Sequence, residues 1–128
     1  MSSGVTVDEA ALGQLVNAFY ARVRADAELG PVFDDAVGDW PQHLQTLTDF
    51  WSSVMLGTGR YNGRPVPAHL RHLDRLDPAL FTRWLRLWAE TTEALFAPDV
   101  AAALQDKAAR IGESLQLALF FRMGAPPG

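Results

Sequence analysis

Apolar residues in this chain recur at steps of three and four, and no stretch keeps a period of two, so the pattern predicts helices and no sheet. Leu12, Leu15, Val16, Phe19 and Val23 make the first stripe and carry a helix to about Arg24, with Tyr20 beside the stripe. Thr6 and Glu9 have capping-box spacing and place the start of that helix. Gly30-Pro31 interrupts the pattern, and the stretch through Phe33, Asp34, Asp35, Gly38 and Asp39 reads as loop or short helical turns. Pro41 behind Asp39 opens a second long helix. Its inward face holds His43, Leu47, Phe50, Trp51 and Val54 until Gly57, so His43 is expected to point into the core. Glycines and prolines from Gly57 to Pro67 allow no more than a short helical turn around His69. Asp77-Pro78 starts a third long helix with Phe81, Trp84, Leu85 and Trp88 inward. Val100, Leu104, Ala108, Ile111, Leu115 and Leu119 give a fourth from about Pro98 to Gly124, and no internal repeat is present.

Composition narrows the class. At 128 residues and 48% hydrophobic, the chain reads as one domain over 1–128, with flexible tails from Met1 to about Val5 and from Ala125 to Gly128. Eleven Lys+Arg against fifteen Asp+Glu, a net charge of -4 and Lys107 as the sole lysine leave no cationic stripe, which argues against a nucleic-acid partner. With no cysteine there is no disulfide scaffold, thiol nucleophile or thiolate-held metal, so any metal falls to histidine or carboxylate. Met1 to Tyr20 carries Asp8 and Glu9 and no long apolar run, so neither a signal peptide nor a membrane-spanning helix is expected and the compartment is read as cytoplasm.

Four amphipathic stripes would form an all-α bundle without any ligand. What such a bundle explains poorly is the polar content of its inward faces, where Tyr20, His43 and Trp84 each bring a group that needs a hydrogen-bond partner. A single inward histidine is more often a hydrogen-bonded core residue than a ligand, and an inward tyrosine or tryptophan is more often packing still. His69 and His72, three residues apart, could join two zinc ligands, but no metalloprotease glutamate follows them. Gly-x-Ser-x-Gly elbows and phosphate-cradling glycine loops are absent, which removes those enzyme classes. A flat apolar cofactor would fit between His69 and the distant trio, and neutral imidazole is a suitable axial ligand for haem iron.

The residues themselves resemble a family. Phe19-Tyr20-Ala21-Arg22-Val23-Arg24, Leu29-Gly30-Pro31-Val32-Phe33, Trp40 with His43, Phe50-Trp51, Tyr61-Asn62-Gly63-Arg64-Pro65 leading to His69, and Arg83-Trp84-Leu85 occur in the order seen in truncated haemoglobins of the third group. The resemblance runs from Phe19 to about Leu119. It implies a truncated globin fold, a helical sandwich enclosing haem b (iron protoporphyrin IX), with a short first helix and a loop-like proximal segment. It implies His69 as the proximal iron ligand, with His72 the competitor. Tyr20, His43 and Trp84 take the distal, ligand-stabilising positions, and Phe33, Leu47, Trp51 and Trp88 line the porphyrin or the core behind it. For Trp51 and Trp88, ordinary packing is nearly as good a reading. The implied ligands are O2, NO, CO or peroxide. The implied role is tight O2 binding turned to redox chemistry of O2, NO or peroxide, dioxygenase-like or peroxidase-like, with a separate reductase because no flavin or nicotinamide motif occurs in the chain. An oxygen carrier or haem-based sensor is the alternative role, and a haem-free interaction domain is the third.

Overall fold

A computed structural model describes residues 7–63, 69 and 76–120. Among these are five helices and no strand: α1 (Glu9–Ala25), α2 (Leu29–Ala36), α3 (Trp40–Leu56), α4 (Pro78–Leu95) and α5 (Pro98–Phe120). The expected tails and the stretch on either side of His69, His72 included, lie outside the described residues.

The helix ends follow local chemistry. Asp8, Asp39 and Asp77 are extended N-caps whose carboxylates accept the amides of Ala11 at 2.8 Å, Gln42 at 3.1 Å and Leu80 at 3.1 Å. The first of these corrects the capping-box reading. Thr6 lies outside the described residues, and Glu9 turns away from the cap because a buried hydroxyl, Ser52, and the Arg60 guanidinium both offer it hydrogen bonds. Gly57 ends α3 at φ 68°, a left-handed conformation that glycine adopts without steric cost.

The Gly30-Pro31 break is also more regular than the sequence suggests. Asp26 terminates α1, and its carboxylate accepts the amides of Glu28 at 3.0 Å and Leu29 at 2.9 Å, which launches α2 at once. Pro31 falls in the first turn of α2, where its missing N–H would have had no intrahelical partner.

In the core, α1 packs against α2, α3 and α4, and α4 lies along α5. Phe19, fully buried on α1, meets the rings of Tyr20, Trp84 and Trp88 edge-on at 4.7, 5.1 and 4.9 Å. Trp88 stacks on Trp51 of α3 at 4.5 Å and runs parallel to Trp84 at 5.7 Å. Its indole N–H donates to the Leu104 carbonyl at 3.1 Å, which ties α4 to α5. Aromatic pairs of this kind add about 0.5–1.5 kcal/mol each beyond the area they bury. No helix among the described residues is long and apolar enough to cross a membrane.

Candidate functional site

A cavity of about 320 Å³ opens where the five helices converge, within the size range of ligand pockets. Tyr20 reaches it from α1 and Phe33 from α2. On α3, His43 and Leu47 lie one turn apart and Trp51 follows one turn later, so a single face of that helix forms one wall. Trp84 enters from α4, and His69, which has a helical backbone and is half-buried, comes in from the segment between α3 and α4. The described wall holds no Asp, Glu, Lys or Arg.

Thus Tyr20, Phe33, His43, Leu47, Trp51, His69 and Trp84 share one cavity, although they are scattered through the chain. Trp88 does not reach it. It packs one layer back, behind Trp51 and Trp84, and braces both. His43 is half-buried and faces the cavity, which corrects the expectation from helical spacing that it points into the core; Trp51, two turns on along the same face, is buried and borders the same open space. Sequence reasoning did not mark Thr46, Tyr61, Phe81 or Leu115 as wall residues. Thr46 and Leu115 sit on inward helix faces and were findable by spacing, since Thr46 follows His43 by three residues and Leu115 follows Ile111 by four. Tyr61 lies in a non-repeating loop and enters by an edge-on contact with Phe50 at 5.1 Å, which carries no periodic signal.

The polar groups are arranged with a direction. Tyr20 is 3% exposed. The Trp84 indole N–H donates to its hydroxyl oxygen through a long hydrogen bond of 3.4 Å. Burial pushes the Tyr20 phenol well above its ordinary range, so it keeps its proton. The indole's donor is therefore committed to Tyr20, and the phenol retains a proton to give. The His43 ring stands edge-on to Tyr20 at 6.1 Å and to Trp40 at 5.6 Å. Desolvation holds His43 below the usual imidazole range, and the charge that His69 would carry lowers it further, so the neutral ring is favoured.

The loop leading away from α3 is tied down. Ser52, 1% exposed, donates to Glu9 at 2.8 Å and shares a 2.8 Å hydrogen bond with Thr58. Arg60 grips both oxygens of Glu9 at 2.6 and 3.2 Å, and the Tyr61 amide donates to Ser53 at 2.9 Å.

An apolar, carboxylate-free space with two imidazoles on its wall suits a flat macrocycle that carries its own metal. Among the described residues no group of three His, Cys, Asp or Glu stands close enough to hold a metal ion without such a ring. Two imidazoles in that apolar wall fit a haem.

Comparison with known proteins agrees. No family model matches the chain. A curated relative, the group 3 truncated hemoglobin ctb of Campylobacter jejuni, is 30% identical in an alignment 119 residues long that covers 90% of this chain and 93% of that protein. The chain belongs to the group 3 truncated haemoglobins. The crystal structure of the group III truncated hemoglobin from Campylobacter jejuni superposes with a TM-score of 0.79 at 31% identity, covering 93% of this chain and 96% of that one. The described helices are thus those of the truncated globin fold, and membership of this globin family implies haem and small diatomic ligands.

Proposed function

We propose that this truncated haemoglobin holds haem b in the cavity described above, with His69 giving the iron its axial nitrogen. Tyr20 and His43 attend the ligand, Trp84 acts on it by orienting the Tyr20 hydroxyl in place of donating directly, and Phe33, Leu47 and Trp51 make apolar contact with the ring. Trp88 acts through Trp51 and Trp84. Haem supplies a reducible iron that takes up O2, NO, CO or peroxide. The surrounding residues exclude water, and the Tyr20 hydroxyl offers its proton to the partly negative end of a polar ligand.

One observation carries this reading: the Trp84 N–H is spent on the Tyr20 oxygen, so the buried phenol is oriented and its own proton is left for the cavity. A charge-assisted hydrogen bond contributes about 1.5–3 kcal/mol, and 1.4 kcal/mol is about a factor of ten in a rate or equilibrium constant. Such retention favours redox chemistry on O2, NO or peroxide over delivery of O2, with electrons from a separate reductase. Cytoplasm is the compartment consistent with that supply.

The test is O2 dissociation from the haem-loaded ferrous protein. Tyr20→Phe removes the donor and is expected to speed release about ten-fold or more. An unchanged rate removes Tyr20 from the role. Stopped-flow consumption of NO or peroxide by the wild type separates the redox reading from a carrier, which would turn nothing over.

A further inference from the structure

Trp40, the first residue of α3, is not part of the cavity wall, yet its ring stands edge-on to His43 at 5.6 Å and tilted against Tyr20 at 6.2 Å. The Arg24 guanidinium lies 4.4 Å over the centre of the Trp40 ring, and the Arg24 side chain is 49% exposed. Arg24 also pairs with Asp34 of α2 at 3.6 Å. The first turn of α3 is thereby joined to α1 and α2 through one aromatic ring.

The backbone supports this join. Arg24 follows Tyr20 by four residues on α1, so the cation and the phenol sit on one face a turn apart. Trp40 precedes His43 by three on α3, which brings those two rings together in the same way. The Trp40 ring that touches His43 thus also carries the Arg24 guanidinium, which pairs with Asp34 of α2.

We infer that Arg24 and Trp40 are positioning residues that keep the His43 imidazole turned into the cavity and so set how fast small ligands enter. This rests on the reading of the cavity as the ligand pocket. Cation–π attraction at an exposed site corresponds to a factor of about two to five in an equilibrium between inward and outward rings.

The experiment uses Arg24→Gln and Trp40→Ala in the haem-loaded protein, with Arg24→Lys as the conservative control. Carbon monoxide rebinding after flash photolysis is expected to quicken about two- to five-fold in Arg24→Gln and more in Trp40→Ala, and to stay near wild type in Arg24→Lys. In a His43→Ala background the same substitutions are expected to leave the rate where His43→Ala sets it, a non-additivity that a general loosening of the fold would not produce. Magnetisation transfer between the His43 and Tyr20 ring protons, measured by NMR with or without haem, is expected to weaken in both variants. Rebinding and ring contact that do not change in Arg24→Gln and Trp40→Ala overturn the inference. If the chain takes up no haem while the ring contact still depends on Arg24 and Trp40, the proposed function fails and the positioning contact stands.

Discussion

A methyl group on Gly30 would come within 2.6 Å of the Arg24 carbonyl oxygen, a backbone atom that cannot swing aside. Gly30 is helical and buried, so the reason for glycine here is close approach of α2 to the end of α1 and not an unusual dihedral. Gly30→Ala is therefore expected to destabilise the fold by about 1–3 kcal/mol, the range for overpacking a well-filled site, and urea unfolding of the haem-free chain reads it. Phe33 and Val32 stand on the same short helix and line the cavity, so a shift of α2 reaches the pocket wall as well. The dipeptide Gly30-Pro31 reads in sequence only as an interruption. The missing space around Gly30 becomes visible when the two helices are side by side.

Between elements, the junction at Asp26 joins three helices. Its carboxylate caps the start of α2 while Arg83 of α4 donates through Nε to both oxygens at 2.9 and 2.7 Å. The Asp26 side chain is 8% exposed and its pKa lies at about 2, held down chiefly by the Arg83 hydrogen bond and then by the amides of Leu29 and Glu28. A carboxyl whose pKa is lower in the folded chain stabilises above the unfolded value, near 3.8, and loses that contribution as the pH falls towards 2. Arg83 is partly exposed, so screening limits the contribution to about 1–2 kcal/mol. Asp26→Asn is expected to lower the unfolding midpoint at neutral pH and to flatten its fall between pH 4 and pH 2, which acid titration by circular dichroism checks. Trp84, whose indole donates to Tyr20, is the next residue after Arg83, so α4 meets α1 through two neighbouring contacts.

Across the molecule, the cavity is the feature every helix contributes to, and a ligand that binds only the folded chain stabilises it by mass action. Haem is expected to raise the thermal midpoint of the wild type and of His72→Gly. His69→Gly is expected to release haem quickly to a scavenging apoglobin and to recover retention when imidazole is added. Retention by His69→Gly together with loss by His72→Gly would move the iron's anchor to His72.

Four of the five described helices, most of their ends and the family were readable from the chain, because a helix's periodicity and its caps at Asp39 and Asp77 depend on residues within a turn of each other; α2, behind the Gly30-Pro31 interruption, was not. The same local reasoning marked Tyr20, His43 and Trp84 as polar groups among apolar neighbours, and set His69 apart on a segment broken by glycine and proline. It could not tell which side of an inward face meets packed core and which meets open space, since an apolar stripe spans an arc of a hundred degrees or so and the crossing of helices divides it. Trp88 and Trp51 look alike in the chain, yet one braces and the other lines the wall. The direction of the Trp84–Tyr20 hydrogen bond and the reach of Arg24 onto Trp40 join residues far apart in sequence, and they exist only where packing brings those side chains within a few ångströms.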